Sequence, residues 1–532
     1  MVRARRLLGV MVPDCYHAVT AEMFELFKTC WEPLQDNADY EVILCHSETA
    51  GREGRRLTIV TGGPGGFDAT WGIDAGSLVP PVRIEAAGIG IDLLRPWLPV
   101  GLQGEGLVWC GPRRLRLGYD LFGEIEDLLT IGQTGAAALN ATAGRHLEVL
   151  RLALLDAGVP VVEVEPLPAG TSLTVAVTHD VDFARMRNHF FDRTAAGFFF
   201  RATVGTMADV LRGRASLRKL GRNLAAALKL PLVYLGWARD PWNCFARYAA
   251  LERKWRSTFY IVPRRDHPGR IAPQGDVDPS RACRYQASEV TADLTALEKA
   301  GFEVGLHGLD AWTGVAAAMA ERSDIKKASG GDASGVRMHW LYLSEATYEA
   351  LESAGFDYDS TFGFNDAIGF RAGTGQVFRP LGAEHLVEMP LTIQDTALFH
   401  TCRMRLDEDD AFSLCEQVIS EACAFGGGIT LLWHMRSIGP ERWWDGFYRR
   451  LLDHLEAKGA WLAPAAEIVE FYRRRRSVDL DVSFSDGVLT VRTCADGEID
   501  GRLQLRVRFP YGSQADLRLP LNQETFELAV PA

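Results

Sequence analysis

Two aspartates sit two residues apart at the end of an apolar run, in Thr178-His179-Asp180-Val181-Asp182. The run before them, Leu173 to Val177, reads as a buried strand, and residues two apart on a strand share a face. One carboxylate of such a pair can hold a metal ion while the other takes a proton from the attacking water. Three more polar clusters follow strand-like apolar runs. Phe302 through Leu306 leads into His307, Gly335-Val336 leads into Arg337-Met338-His339-Trp340, and Gly428 through Trp433 leads into His434. Taken singly, an Asp-x-Asp is often a turn, and a lone His after an apolar run is more often a satisfied core residue. Asp, His, Arg and His delivered in order by different strand ends is how barrel enzymes assemble a site.

The elements around these residues supply that barrel. Ser288 through Lys299-Ala300-Gly301 predicts a helix with a Ser cap and a Gly stop, set between the Thr258-Phe259-Tyr260 strand and the His307 strand. Ser344 through Gly355 repeats the pattern after the Arg337 strand. Alternating strands and helices imply an α/β fold with a parallel (β/α) barrel, distorted or incomplete.

In this combination the sequence resembles the polysaccharide deacetylases, the NodB-homology group of carbohydrate esterases. Thr178 to Asp182 is similar to the family's first motif, which supplies the catalytic base and a metal-ligand Asp. Val304-Gly305-Leu306-His307 resembles the second, metal-binding motif. Val336 to Leu341 stands in the place of the third, whose Arg orients the base, and Leu431-Leu432-Trp433-His434 resembles the last, whose His is the general acid. Ser257-Thr258-Phe259-Tyr260 resembles a strand common in the family, and the likeness spans about 173–475. Two departures stand out. The family's second motif has another His four residues after the first, where this chain has Ala311, and its first motif has adjacent Asp residues, which Val181 separates here.

The resemblance implies a metal-dependent hydrolase that removes an acetyl group from an N-acetylated sugar of a polysaccharide or glycolipid precursor. Its divalent metal, zinc by default, would be held by Asp182, His307 and a third ligand. His339 is the choice for that place, since it ends the next strand-like segment, and Asp310 is the competitor. Asp180 would be the base, Arg337 would hold it in place and ionised, and His434 would protonate the departing amine. Asp395 would pair with His434 and raise its pKa, while Arg371, in the Gly-rich stretch 369–374, and Trp340 would contact substrate. Two rivals remain: a hydrolase of a non-sugar amide on the same barrel, and a glycan-binding protein whose site has decayed.

With 532 residues the chain exceeds one ordinary core, and its 47% hydrophobic and 24% charged residues are those of a globular protein. A net charge of −12 argues against nucleic acid as a partner. The start, Met1 to Arg6, is basic, but the apolar run Leu7 to Val12 is short and meets Pro13-Asp14, so it predicts a first strand rather than a secretion signal. Ten cysteines are scattered without a Cys-x-x-Cys pair, which fits reduced thiols and a cytoplasmic protein, peripheral at most to the inner membrane. The oligomeric state is not legible.

Three regions are expected: an α/β accessory domain at 1–165, the deacetylase-like domain at 171–476 with an insertion at about 190–240, and a small β unit at 477–532. In the first, Glu41 to Leu44 and Leu57 to Val60 are strand-like, Thr61 to Gly66 is a Gly-rich turn that lacks the Lys-Ser/Thr ending of a phosphate loop, and Gly118 to Leu129 is an amphipathic helix. In the insertion, Leu217, Leu220, Leu224 and Leu228 share a helical face beside Arg218, Lys219, Arg222 and Lys229. Such a basic amphipathic helix, over 215–236, either packs on its own domain or lies on an anionic membrane. In the last region Val478 to Phe484 and Leu503 to Phe509 alternate, with Asp486-Gly487 marking a hairpin.

Overall fold

In the computed structural model the apolar run at Leu173 extends as a strand to Val181, so His179 and Asp180 belong to the strand itself. The structure describes residues 6–74, 76–100, 105–213, 215–270, 282–485, 487–495, 497, 499–510 and 516–530. The basic start, apart from Arg6, and Asp486 of the expected hairpin lie outside them.

All nine residues of Leu173–Val181 are buried, because this strand is paired on both sides. Its second half runs parallel to Thr258–Ile261, and its first half parallel to both Gly428–Leu432 and Ala460–Ala463. From Thr258–Ile261 the sheet continues through Glu303–Gly308, Gly335–Met338, Tyr358–Asp359 and Val387–Glu388, and at the other end Gly428–Leu432 pairs with Ile393–Gln394. The nine strands are parallel throughout. The two edge strands, Val387–Glu388 and Ile393–Gln394, do not pair with each other, so the barrel is incomplete, as the alternation predicts. Only Met389 to Thr392 separate them in sequence, which keeps the gap narrow. Parallel order gathers every strand's C-terminal end on one rim, and the polar clusters follow those ends.

Two expected helices begin later than predicted. They are Thr291–Lys299 and Thr347–Ser353, and neither is capped by its serine. The Ser288 hydroxyl accepts from Gln286 Nε2, and the Ser344 amide donates to Thr347 Oγ1, so these serines shape the turns ahead of the helices. The glycine stops hold: Gly301 and Gly355 both have φ of +81°, which costs glycine nothing.

Ahead of the barrel lies a six-stranded sheet in the order Glu32–Pro33, Arg6–Met11, Tyr40–His46, Leu57–Thr61, Arg114–Leu117, Leu107–Trp109, parallel except for the last pair. The expected amphipathic helix is Leu121–Thr130, capped by Asp120. A short helix, Gly66–Thr70, does follow the glycine-rich turn. Its Asp68 takes Arg116 Nε at 3.0 Å and Gly65 N at 2.8 Å, so the loop is occupied by the fold's own groups.

The Gly-rich stretch 369–374 faces this first region. Gly373 O accepts from Ala143 N, Phe370 N donates to Ala138 O, and a Cβ on Gly369 would stand 2.0 Å from Ala138 O. The C-terminal strands also join other regions. Val478–Ser485 and Val488–Ala495 form a hairpin, but Gln504–Arg508 pairs antiparallel with Val161–Val164 from before the barrel. The arginine run ending the Ala465–Arg476 helix stitches these parts together. Buried Arg475 donates to Val164 O and Glu25 O, and Arg476 pairs with Glu22 at 2.7 Å. One apolar core accordingly runs through the first sheet, this helix and the C-terminal strands and reaches the barrel interior at Ala176, Tyr260 and Tyr358, while a second packs the outer face of the barrel sheet against its helices.

The insertion is helical: Arg193–Phe200, a wide turn Arg201–Gly205, Thr206–Leu211 and Leu217–Tyr234. Of the four leucines expected to share one face of the last helix, only Leu220 is buried; the inward face is Leu220, Asn223, Ala227, Leu230 and Val233. Asn223 anchors it, donating to Thr206 Oγ1 and accepting from Glu441 N and Trp443 Nε1. No helix of the described residues is long and apolar enough to cross a membrane.

Candidate active site

Strand alternation sorts the first motif. Thr178 and Asp180 face the barrel interior and meet the guanidinium of Arg337, the third residue of Gly335–Met338. Arg337 Nη1 donates to Asp180 Oδ1 at 3.0 Å and to Thr178 Oγ1 at 2.8 Å, while Nε and Nη2 donate to Ser360 O and Oγ at 2.9 and 2.8 Å. The ring of Tyr260 lies beneath, 4.5 Å from the guanidinium carbon. Arg337 is fully buried and Asp180 nearly so, so this charge pair is held in a fixed geometry. His179 faces the other way. Its Nδ1 donates to Trp433 O at 2.7 Å and its Nε2 meets Glu252 Oε2 at 2.9 Å, a carboxylate that also accepts from Ser257 Oγ and Tyr448 OH. His179 therefore locks the strand to the helical layer.

Asp182, just past the strand, meets two imidazoles. Its Oδ1 is 3.2 Å from His307 Nε2 and 3.6 Å from His339 Nε2, and one ligand atom from each of the three residues lies within 4.8 Å of the others. His307 Nδ1 donates to the Arg337 carbonyl at 2.9 Å, which leaves the Nε2 lone pair facing Asp182. Asp182 Oδ1 is buried and makes no hydrogen bond. Bonds of ~2.0–2.1 Å to a tetrahedral cation set its ligand atoms roughly 3.3 Å apart, close to the spacing found. Two imidazoles and a carboxylate suit zinc, cobalt or nickel, so the residues fit a divalent metal. Burial opposes ionisation of Asp182, but His339, His307 and His434 outweigh it and hold its carboxyl well below the usual range.

The structure puts the competing ligand elsewhere. Asp310 accepts from His267 Nε2 at 2.6 Å and from Arg270 N at 2.8 Å. Ala311, where the family pattern has a second His, is fully buried in the apolar core.

Across the rim, His434 follows Gly428–Leu432. Its Nδ1 donates to Asp395 Oδ1 at 2.6 Å, its backbone N donates to Asp395 Oδ2 at 2.9 Å, and Ser437 Oγ donates to the same oxygen. The opposite ring atom, Nε2, is 3.8 Å from Asp182 Oδ2. Burial alone would lower the pKa of His434; the charge and hydrogen bond of Asp395, with help from Asp182 and Asp180, raise it above its ordinary value. Asp395 is held low in turn, chiefly by His434 against its own burial.

These groups open onto a cavity of about 1680 Å³ whose wall includes Asp180, Asp182, His307, His339, Trp340 and His434. Trp340 stands half-exposed in that wall at φ +66°. Arg371 does not reach it. Its guanidinium stacks on Phe362 at 4.5 Å and donates to Gly363 O, and its carbonyl accepts from Gln133 N, so it serves packing between regions instead of a substrate rim. The sequence reading missed Thr178 and Ser360 as partners of Arg337, and Ser437 as a partner of Asp395. Ser360 follows a two-residue strand, too short to show as periodicity. Arg403 and Arg442, which also line the cavity, sit in loops with no pattern to find.

No protein-family model matches the chain, and no curated protein matches it. Among solved structures it is similar to Agd3, described as a novel carbohydrate deacetylase, with 8% identity over 99% of each chain and a TM-score of 0.39. It is similar to a Mycobacterium smegmatis protein provisionally designated a polysaccharide deacetylase, with 19% identity over 59% of this chain and 96% of that one and a TM-score of 0.36. It is also similar to Puue allantoinase, with 14% identity over 57% of this chain and 92% of that one and a TM-score of 0.33. All three scores are below 0.5, and the chemistry of the site is read from its own residues.

Proposed function

We propose that the chain is a metal-dependent hydrolase that removes an acetyl group from an N-acetylated sugar of a glycan or glycolipid. The observation that carries this reading is one rim bearing three things together: the Asp182–His307–His339 cluster, Asp180 fixed by Arg337, and His434 fixed by Asp395. A divalent cation on the cluster would supply Lewis acidity, polarising the amide carbonyl and lowering the pKa of water. Asp180 accepts the proton of the attacking water as general base. Arg337 aims that carboxylate by donating to its Oδ1. His434, kept protonated by Asp395, gives its Nε2 proton to the departing amine. Trp340 offers an aromatic face to a sugar ring in the cavity.

The test is metal analysis of protein purified without chelator, followed by acetate release from a panel of N-acetylated glycans and non-sugar acetamides. About one equivalent of metal, with acetate released from the sugars and lost in Asp180→Asn, supports the reading. Metal-free protein inert on every substrate, even when zinc is added back, points to a decayed site. Turnover of the acetamides alone moves the enzyme to the non-sugar class.

A cytoplasmic location is part of the proposal. All ten cysteines are free thiols, the usage that a reducing compartment favours.

A further inference from the structure

Of the twenty-one large hydrophobic side chains exposed among the described residues, thirteen fall between Phe190 and Trp237. Single exposed apolar residues are ordinary, whereas a cluster in under a tenth of the chain marks a contact surface. The Leu217–Tyr234 helix shows how the surface is built. At ~100° per residue, Leu217, Leu224, Leu228 and Leu232 fall within a sector of about 80°, turned away from the inward face at Leu220, Asn223, Ala227 and Leu230. They are exposed, Leu217 at 75% and Leu228 at 80%. Arg218, Arg222 and Lys229 occupy the remaining sector. The apolar surface continues into Phe199 and Phe200 before this helix and Trp237, 77% exposed, after it.

Charge points to what covers it. Residues 190–237 hold eight Arg and Lys against two acids, Asp192 and Asp209, a balance of 8 − 2 = +6 in a chain of net −12. A second copy of the same face would bring like charges together. An anionic bilayer accepts both the leucines and the basic residues, which is the pattern of an interfacial helix.

The surface also adjoins the site. Phe200 and Val204, both exposed, line the same cavity as Asp182, His307 and His434. We propose that residues 190–237 seat on an anionic lipid surface, and that the sugar hydrolysed is carried there by a membrane-anchored lipid. The substrate half rests on the hydrolase reading above; the docking half does not.

The experiment uses full-length, metal-loaded protein and vesicles of phosphatidylcholine with or without phosphatidylglycerol. Wild type should co-sediment with the anionic vesicles and far less with the neutral ones. Leu224→Glu with Leu228→Glu should abolish sedimentation, and Arg218→Gln or Lys229→Gln should each weaken it roughly fivefold. The Glu variant should retain activity on a soluble N-acetylated glycan and lose it on the same sugar anchored in the vesicle. Wild type that ignores anionic vesicles overturns the proposal, as does a Glu variant that binds them unchanged. So does a wild-type dimer that Leu228→Glu dissociates without any lipid binding. Because sedimentation needs no turnover, loss of the hydrolase reading and loss of the docking reading are told apart.

Discussion

Arg337 is the residue whose removal tests the site most sharply. Its guanidinium is fully buried and spends its donors on Asp180, Thr178 and Ser360. Arg337→Met keeps the bulk of the stem and removes the charge, leaving the Asp180 carboxylate buried without its partner. At the 3.0 Å separation found, two unit charges interact by roughly 5–6 kcal/mol at an effective dielectric of about 20. Breaking a buried pair by removing one member typically costs about 3–5 kcal/mol. The single variant should therefore lose about that much stability.

The attribution is settled by a cycle. Asp180→Asn removes the stranded charge, so Asp180→Asn with Arg337→Met should be more stable than Arg337→Met alone, by about 2 kcal/mol. Urea unfolding of all four proteins in excess chelator makes the comparison, because bound metal would add its own stabilisation to any variant that retains it. Acetate release by the metal-loaded single variant should fall by on the order of 10²-fold, the scale of a misplaced general base. A single variant within 1 kcal/mol of wild type, or a double variant whose losses simply add, would refute the claim that Arg337 exists to carry the Asp180 charge.

Chelation should abolish acetate release, and zinc or cobalt should restore it. His339→Ala should lose metal while Asp310→Ala keeps it, and the reverse pattern in metal analysis would move the third ligand to Asp310. Asp395 holds the His434 pKa above its ordinary value, so Asp395→Asn should shift the alkaline limb of kcat/KM to lower pH; a limb that stays in place would remove His434 as the acid. His146 is fully buried beside Tyr119, and burial lowers its pKa from 6.5 to about 3. The unfolded chain takes up that proton first, so stability is complete above about 6.5 and is lost as pH falls toward 3, at ~1.4 kcal/mol per unit. His146→Phe should then gain about 2 kcal/mol over wild type between pH 7.5 and pH 5 in urea midpoints, and parallel midpoints at both pH values would contradict it.

What the sequence revealed and what it hid divide along physical lines. Leu173 to Val177, Phe302 to Leu306 and Gly428 to Trp433 are short, dense apolar runs ending in a polar residue, and all three are strands of the parallel sheet. A strand buried on both faces needs such a run, so it stands out. The Tyr358–Asp359 and Val387–Glu388 strands are two residues each and carry buried carboxylates, which erases the pattern. The apolar stripe of the insertion helix was visible, but which side faced the protein was not. Burial there is decided by Asn223, a polar residue that packs inward because Thr206, Glu441 and Trp443 satisfy it. Arg371 misled for a related reason, since an Arg between glycines looks like a flexible rim when those glycines in fact allow close packing against Ala138 and Ala143.

The absence of a second His from the Val304–His307 segment would leave a cation short of ligands if the site were built from that segment alone. The geometry brings a third candidate ligand, the imidazole of His339, from the neighbouring strand. Leu306 and His307 lie in register with Val336 and Arg337, so the residue two past Arg337 arrives beside the His307 ring, with centroids 4.9 Å apart. His339 stays on the inward face because it stands two residues past Arg337. Immediately past it the chain leaves the strand, with Trp340 and Leu341 at φ +66° and +57°, a conformation that bulky side chains adopt only when their surroundings enforce it. The same break swings the Trp340 ring into the cavity wall. The strand register thus accounts for the place of His339, and the turn after it for the aromatic surface beside it. Ala311 meanwhile is fully buried in the apolar core, where a larger imidazole would have to displace its neighbours. Under the hydrolase reading proposed above, strand register in place of a second motif His would then complete the ligand set.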